Sequence, residues 1–501
     1  MSAAAHRFRF YLLLLGLVSN ITLHGFSNRT NNDPYPVYTA LYPYTFLTTN
    51  HRNYLRGWEA DWKQERFAFS VSPFRQAATC GRNIDSNRAA LGDLKGRWNM
   101  LALFNPVDGD GNSNNAVQQA LFNVLGFTQT ELTTPCTSGG PTLYDMLSTP
   151  SHRAPNEQFG FFSVPIKYRK WGVRFETEFY LGYDIGLKIE TGVCDIIQTA
   201  SFVDQTCNAL GRCCVTSCSD STQCNIDQFG CSCKQIVIQQ IMDQYDLIAE
   251  TLDLNVRNYN KRCAEDTRFA LYWRRIFPIN QDREGWPYFL MMPFVQFEAI
   301  APTGNIVNPN CLFALPGGNN GHTGLGFGAG LNFDFVETIE IGVQASMTEW
   351  LSRRYCNYPV PTNNFQQGLF PYKADLTLKP AANWTFAALM NAYHFLDRLS
   401  VWAQWVATYH GRDSFCDIEL HPFVVHEQNQ PYPSSPPGQP LPEVEVSKME
   451  CESRWSSHMV NVGLTYDISP NIALGFLWQT PVAQRNAYRS TTLMGSLIVT
   501  W

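Results

Sequence analysis

The chain has 501 residues, of which 45% are hydrophobic and only 16% are charged, whereas soluble domains usually carry roughly 25% charged residues. Its 37 basic and 43 acidic side chains give a formal net charge of −6 at pH 7. A generally basic nucleic-acid binder is excluded, because phosphate neutralisation needs a surplus of Lys and Arg. The aromatic content of 14% excludes a disordered chain, and 15 cysteines favour an oxidising compartment.

Residues 1–27 are predicted to be a secretory signal peptide. Arg7 and Arg9 precede a Leu-rich apolar run at 10–18, which is the arrangement of the basic and hydrophobic parts of such a peptide. The run is shorter than the about 20 residues that a helix needs to cross a bilayer. No later run is long enough either, so we expect no transmembrane helix in the mature protein. The cleavage position stays open.

The next segment, 28–95, has three interpretations: a periplasmic segment, a first strand or an inner plug. Two candidate strands are found near it, at 66–74 and at 97–104. From residue 96 to the C terminus at 501 the sequence predicts a single domain built of strands.

Eleven further strands are indicated by side chains that alternate between apolar and small or polar residues, the period of a strand with two different faces. They are placed at 166–180, 185–195, 266–277, 286–301, 324–335, 338–350, 384–395, 398–409, 454–466, 471–480 and 488–501.

The connections between these strands alternate in length. The short turns are 181–184, 278–285, 336–337, 396–397 and 467–470, and the long connections are about 196–265, 302–323, 351–383 and 410–453. Only 481–487 is short on the side of the long connections. Membrane barrels combine short periplasmic turns with long extracellular loops, and bacterial ones have even strand numbers. The sequence therefore predicts an all-β fold: a closed antiparallel transmembrane β-barrel of 12 or 14 strands with long extracellular loops.

Charged and amide side chains occupy the polar face of several strands. A charge that faces lipid near the middle of the bilayer costs a few kcal/mol, so these side chains are expected to face the lumen. They could shape ion selectivity there, or they could simply pair across strands without a transport role. The candidates are Arg174, Glu176, Glu178, Lys188, Glu190, Asn332, Asp334, Glu340 and Gln344.

The connection 196–265 is predicted to be a Cys-rich extracellular insertion. The cysteines in and beside it are Cys194, Cys207, Cys213, Cys214, Cys218, Cys224, Cys231, Cys233 and Cys263. Disulfides are favoured over a thiolate metal site, because the cluster has no CxxC pair and no His. We expect no metal and no cofactor, and the pairing cannot be derived from spacing. A helix is predicted after the cysteines, since Ile241, Tyr245 and Ile248 recur every three or four residues.

The chain ends in a strand whose apolar face reaches the last residue. Leu497, Val499 and Trp501 lie on one face of this strand, and Ser496, Ile498 and Thr500 lie on the other. A terminal aromatic residue in this pattern is typical of the signal that the barrel-assembly machinery recognises. The expected partners are therefore that machinery and the outer-membrane lipid, and the composition excludes nucleic acid.

The signal peptide, the alternating hairpins, Trp501 and the additional cysteines together resemble bacterial outer-membrane β-barrel proteins of the porin type. They resemble in particular the cysteine-rich major outer-membrane porins of intracellular bacteria. The resemblance is one of architecture over most of the chain, without a residue-level motif. It implies a Gram-negative envelope, an integral outer-membrane location after signal-peptide export, and disulfides to other envelope proteins. Whether the chain forms homo-oligomers stays open.

The function predicted from these patterns is a porin-like channel for passive diffusion of small polar solutes. One alternative is a structural or adhesive surface protein, cross-linked by disulfides, with the barrel as its anchor. Another is a secreted soluble all-β binding protein. We expect no enzymatic activity, because the chain has neither GxSxG nor HExxH.

Overall fold

The computed structural model describes residues 67–104, 116–126, 161–204, 240–281, 287–335, 339–396, 398–427, 430–433, 441–469 and 471–501. Its main feature is a 14-stranded antiparallel sheet that closes on itself. Two short strands, Tyr259–Ala264 and Phe277–Gln281, extend this sheet, and the other twelve strands form the barrel. The predicted all-β closed barrel is confirmed, with 12 as the strand number.

The barrel strands are numbered in chain order. They are β1 (Phe67–Ala78), β2 (Ile166–Gly182), β3 (Ile185–Ala200), β4 (Thr267–Arg274), β5 (Pro287–Ala301), β6 (Gly324–Phe335), β7 (Ile339–Trp350), β8 (Asn383–Leu396), β9 (Leu399–His410), β10 (Trp455–Ser469), β11 (Ile472–Arg485) and β12 (Thr491–Thr500). Each pairs with its neighbours in the chain, and β1 also pairs with β12. The five predicted short turns lie at one end of the barrel and the long connections at the other, as the sequence predicts, and the short connection 486–490 lies with the long ones.

The strand at 66–74 proves to be β1, which supplies the twelfth strand that an even number requires. The prediction of a strand at 97–104 is wrong. Trp98–Asn99 is a two-residue strand outside the barrel, and Leu101–Phe104 is helical. The reason is local, because the side-chain Oδ1 of Asn99 accepts a hydrogen bond from the backbone N–H of Ala102 at 3.2 Å and so begins a helical turn.

The barrel has an apolar outer surface and a polar interior. Large apolar side chains point outwards and stay exposed, such as Trp171 at 52%, Val343 at 55% and Met390 at 56%. The side chains between them point inwards and are mostly small, polar or charged. Apolar surface on this scale is rare on soluble monomers and is the pattern of a barrel that spans lipid.

Closure of the barrel uses both ends of the described chain. The backbone N–H of Trp501 donates to the carbonyl of Phe67 at 2.9 Å, and the N–H of Phe67 donates back at 3.0 Å. The two rings also touch, with centroids 4.4 Å apart. No backbone group of a spanning strand can be left unpaired in lipid, so this joint between first and last strands completes the sheet.

Aromatic side chains inside the barrel lie flat against glycines of the neighbouring strand. A Cβ on Gly463 would lie 2.1 Å from the Trp402 ring, and one on Gly186 would lie 2.2 Å from the Tyr272 ring. Glycine is therefore required at both positions to let the ring lie along the wall.

The long connections fold into a structure over one end of the barrel, which we call the cap. Its largest sheet consists of Arg353–Val360, Tyr372–Lys379 and Ser414–Leu420. The smaller strands are Gly81–Arg82, Arg88–Ala89, Trp98–Asn99, Phe161–Ser163, Val203–Asp204, Val424–Glu427, Gln430–Pro433 and Ala487–Tyr488. The helices are Leu91–Asp93 (3-10), Leu101–Phe104, Ala116–Val124, Tyr245–Thr251 and Val446–Ser453.

The predicted helix after the cysteines is confirmed as Tyr245–Thr251, and Ile241, Tyr245 and Ile248 are all buried in the cap. Among the described residues, no helix has the length and apolar character needed to cross a bilayer.

Candidate functional site

The lumen wall has two halves of different chemistry. The half formed by β2 to β7 carries many charged side chains, and we call it the charged wall. The half formed by β8 to β12 and β1 faces the lumen mainly with amides, hydroxyls and apolar groups, and we call it the neutral wall. The described lumen-facing ionisable side chains of the neutral wall are His410, near the cap, and Asp467, near the short turns.

The centre of the charged wall is Glu265, which lies in the connection before β4 and is fully buried. Its carboxylate accepts from Lys170 Nζ at 2.8 Å and from Arg174 Nε at 2.9 Å. Burial alone would raise the pKa of Glu265, but Arg174 and Lys170 outweigh it and hold the value at about 2. One carboxylate thus pairs with two cations of β2.

Two further pairs cross between strands of the same wall. Lys188 Nζ lies 3.0 Å from Glu176 Oε1, and Arg268 Nη1 lies 3.3 Å from Glu298 Oε1. Tyr272 donates its hydroxyl to Glu178. A buried charge is tolerated only when it is paired, and cross-strand pairing satisfies that condition here.

Nearer the short turns, the charged wall becomes acidic. Asp334 on β6 and Glu340 on β7 are directly opposite each other in the sheet, and both are buried. Asn332 Nδ2 donates to Glu340 Oε1 at 2.7 Å. This amide stabilises one carboxylate of a pair that carries the same charge.

The neutral wall is joined by a chain of hydrogen bonds across four strands. Thr492 donates to Gln479 at 3.1 Å, Gln479 donates to Asn461 at 3.0 Å, and Asn461 donates to Gln404 at 2.8 Å. All four side chains are buried. These four side chains are therefore linked to one another without net charge.

The connection 302–323 is held over the mouth of the barrel by Asp266. Its carboxylate accepts from the backbone N–H of Gly304 at 2.9 Å, from Asn319 Nδ2 at 2.8 Å and also from the backbone N–H of Asn319. A Cβ on Gly318 would lie 2.2 Å from the Asp266 Cγ, so the backbone can approach only as glycine. Burial raises the pKa of Asp266, and the donors of Asn319 and Gly304 oppose that rise.

The charged wall itself also holds this connection. Lys170 Nζ donates to the carbonyl of Gly317 at 3.3 Å, and Gln198 Nε2 donates to that of Phe313 at 2.9 Å. We call these contacts, together with those of Asp266, the latch. The latch ties the cap to β2, β3 and the start of β4.

Apolar side chains close the mouth beneath the cap. Tyr168 and Ile196 face inwards at the cap end of the barrel and belong to one hydrophobic core with cap residues such as Trp98, Phe313 and Leu315. Within the described residues, the cap end of the lumen is therefore packed rather than open.

The structure places every predicted lumen residue at an inward position. Buried ones are Arg174, Glu178, Lys188, Glu190, Asn332, Asp334 and Glu340, and partly buried ones are Glu176 and Gln344. Whether any of them lines a conducting path stays a prediction. Lys170 and Glu298 were missed, although each shares the parity of the inward residues on its strand. Glu265 carries no such signal, because it lies between strands.

Two of the predicted disulfide cysteines lie within the described residues. Cys194 and Cys263 are directly opposite each other, with Sγ atoms 3.5 Å apart, and both are free thiols. The others lie outside the described residues, namely Cys207, Cys213, Cys214, Cys218, Cys224, Cys231 and Cys233.

At the C terminus, Leu497 and Trp501 are exposed on the outer surface, at 42% and 58%, and Val499 has the same outward parity.

Comparisons with known proteins return similarity in structure alone. No protein-family model and no curated protein matches the chain. An outer-membrane channel from Pseudomonas putida F1 aligns with 87% of this chain and 96% of its own, at 7% identity and a TM-score of 0.41. A Pseudomonas aeruginosa FadL homologue aligns over 95% and 99%, at 9% identity and 0.28. The translocator domain of autotransporter NalP from Neisseria meningitidis aligns over 91% and 95%, at 6% and 0.30. At such identities the likeness concerns the fold alone.

Proposed function

We propose that the chain is an integral outer-membrane channel for passive diffusion of small polar solutes, with the cap governing access to its lumen. The observation that carries the proposal is the polarity of the barrel. Its outer surface exposes apolar side chains, and its lumen is lined by ion pairs and hydrogen-bonded amides. This is the reverse of a soluble barrel and the arrangement of outer-membrane channels.

Because the mouth of the barrel is packed, we expect the latch to control access to the lumen. A solute that enters from the cap side must pass the apolar layer beneath the connection 302–323. That connection is fixed through Asp266, Lys170 and Gln198. Weakening the latch should therefore increase conductance without changing the lumen below it.

Planar-bilayer recording of the refolded full chain tests both parts. The Asp266→Asn variant places an amide N–H₂ opposite the N–H donors of Gly304 and Asn319, so the latch loses acceptors that it needs. We expect wild-type conductance to be small and D266N conductance to be larger. Asp246→Asn, at an exposed position of the cap helix, is the matched control and should behave as wild type. Absence of conductance from wild type and D266N alike would remove the channel proposal.

Location is tested separately. Fractionation should place the chain with the outer membrane, resistant to carbonate and salt extraction. Surface protease on intact cells should cleave the cap and leave the barrel. Release by carbonate alone would contradict an integral membrane protein and favour the soluble binding protein.

A second function is a cross-linked surface protein whose working part is the cap. It is favoured by three free cysteines exposed on the cap, Cys356, Cys416 and Cys451. Non-reducing gels of whole envelopes should then show ladders that disappear when these three become Ser. The control C194S/C263S changes buried thiols and should leave the ladders intact. Envelopes without ladders would remove this function and leave the channel proposal untouched.

A further inference from the structure

Five basic side chains form a group on the outer surface of the barrel at its cap end. They are Arg75, Lys167, Arg169, Arg262 and Arg489, and we call the group the outer basic surface. All five are exposed, and the Arg262 side chain is 82% exposed. They come from four segments: β1, β2, the residues just before β12, and the strand Tyr259–Ala264, which pairs with β3.

The sheet register brings these residues together. Arg75 is directly opposite both Leu493 of β12 and Trp171 of β2, and Arg169 is opposite Ala77, two residues further along β1. Diagonal neighbours of this kind have Cα atoms about 7–8 Å apart. Arg262 reaches the same group through Asp195, which is opposite both Trp171 and Arg262. The cations thus occupy adjoining positions of one continuous surface.

The outer basic surface lies immediately beyond the apolar band of the same strands. Towards the middle of the barrel, the outward residues are exposed and apolar, for example Phe175 on β2, Val193 on β3 and Leu497 on β12. Trp171, 52% exposed, stands at the boundary. Tryptophan is enriched where hydrocarbon meets the polar layer. The basic side chains are therefore at the level of lipid headgroups, in the leaflet that faces the cap.

The rest of the circumference has a different character. In the described strands β4 to β10, no outward-facing position is Lys or Arg. At the cap end these positions hold residues such as Ala299, Leu325, Met347, Trp384 and Tyr409. The positive charge is thus confined to one side of the barrel, so it is not a general property of the rim.

The group has little negative charge to balance it. Arg262 bonds Asp195 at 2.9 Å. Among the described residues, Arg75, Lys167, Arg169 and Arg489 have no carboxylate within ion-pair distance. Like charges placed this close repel one another, and an anionic partner would relieve that repulsion. At the level of the lipid headgroups, the anionic group that neighbouring lipids can present is phosphate. Arg binds phosphate with two parallel hydrogen bonds.

We propose that the outer basic surface binds the phosphate groups of the glycolipid that forms the outer leaflet, a proposal that rests on the outer-membrane location proposed above. The sugar phosphates would lie against Arg75, Arg169 and their neighbours. The acyl chains of the same molecule would lie along the apolar band below. A lipid can contact the outer basic surface and the apolar band at the same time, whereas free phosphate can contact only the basic surface.

The test uses the detergent-purified full chain and lipopolysaccharide as the probe, with bound lipid measured by native mass spectrometry. R75Q/R169Q should weaken binding about thirtyfold. The control R398Q/R412Q removes two charges from exposed residues on other strands and connections and should stay close to wild type. Enzymatically dephosphorylated lipopolysaccharide should bind wild type as poorly as the intact lipid binds R75Q/R169Q.

Equal binding by the two double variants would overturn the proposal, and so would equal binding of the dephosphorylated lipid. If phosphatidylglycerol displaces the glycolipid at equimolar concentration, the glycolipid is not the occupant. Fractionation distinguishes failure of the location from failure of the site. A chain absent from the outer membrane refutes the location, whereas an outer-membrane chain whose R75Q/R169Q variant binds normally refutes only this site.

Discussion

The charged and neutral walls of the lumen bury their polar groups in opposite ways. The charged wall uses ion pairs such as Lys188–Glu176 and Arg268–Glu298, in which each charge depends on its partner. The neutral wall uses the chain from Thr492 to Gln404, in which Gln479 and Asn461 each donate and accept. Loss of one member should therefore cost more on the charged wall.

The walls also differ in what they hold. Lys170 of the charged wall contacts Glu265, which lies outside the barrel strands, and Gly317 of the connection 302–323. The amide chain of the neutral wall stays within barrel strands. The charged wall thus holds the connection 302–323, whereas the neutral wall meets the cap through His410, whose Nε2 lies 2.9 Å from Asp413 Oδ1. Variants of the two walls should therefore have different consequences for access.

The largest effect is expected from Glu265→Gln. Without the carboxylate, Lys170 and Arg174 remain buried with one amide between them, and removal of one partner from a buried pair costs about 3–5 kcal/mol. We expect that decrease in the free energy of unfolding from urea titration in detergent micelles. The low pKa of Glu265, about 2, lies below the about 4.3 of an unfolded Glu. The stabilisation is therefore present above about pH 4.3 and is lost as the pH falls towards 2.

The matched control breaks an exposed pair. Arg354 Nη2 lies 2.8 Å from Glu419, with side chains 53% and 66% exposed, and such pairs contribute at most about 1 kcal/mol. Glu419→Gln should therefore lower the free energy of unfolding far less than E265Q. Similar losses from both variants would show that the Glu265 cluster is not a buried network.

The barrel was predictable because its signal is local. Side chains that alternate with a period of two indicate each strand. The sequence of β1 alone does not show whether it belongs to the barrel, but an even strand number requires one more strand. The same parity identifies which charges face inwards, and Lys170 could have been added by it. The lumen could thus be derived from the sequence without knowing which strand pairs with which.

The cap and the latch could not be derived in this way. Glu265 meets Arg174 across 91 positions of sequence, and no spacing rule predicts that contact. Aromatic residues show the same limit. Trp350 lies at the end of β7, where aromatic residues of membrane barrels commonly form an interfacial girdle, but it is only 5% exposed and belongs to the hydrophobic core. Trp350 occupies an inward-facing position of β7. The preference of aromatic residues for strand ends does not determine which face of the sheet they occupy.

On the neutral wall, Asn461→Leu should have a smaller effect than E265Q. It leaves the Gln404 acceptor and the Gln479 donor without their bonds to Asn461, and an unsatisfied buried polar group costs about 1–3 kcal/mol. We expect a loss of roughly 2 kcal/mol in the same urea titration. Val460→Leu, at the adjoining outward position, is the control and should be nearly neutral. A loss as large as that of E265Q would erase the difference between the walls.

The connection that the charged wall holds should respond to pH through His322. Burial, assisted by the nearby charge of Arg353, lowers the pKa of His322 to about 3, against about 6.5 in an unfolded chain. The unfolded form takes up a proton first, so the stabilisation is complete above about pH 6.5 and falls as the pH drops towards 3. By pH 5 the loss should be roughly 2 kcal/mol.

Hydrogen exchange over 302–323 measures this loss. Wild type should exchange faster at pH 5 than at pH 7, after correction for the intrinsic rates, and His322→Gln should show no such change. His458→Gln, on the outer surface beside Tyr409, should keep the wild-type response. A response that survives in H322Q would assign the pH dependence to another group.

The smallest effect is expected from exchanging charge between the walls, measured as reversal potential in a KCl gradient. Asp334→Asn removes one of two carboxylates that are directly opposite on the charged wall, and Gln404→Glu adds one to the neutral wall. If ions pass between the walls, D334N should lower the cation-to-anion permeability ratio about twofold, and Q404E should raise it similarly. D334N should not lower stability through its charge, because like charges opposite each other are destabilising. Shifts of opposite sign would show that both walls face the same ion path, whereas a shift from one variant alone would place that path along a single wall.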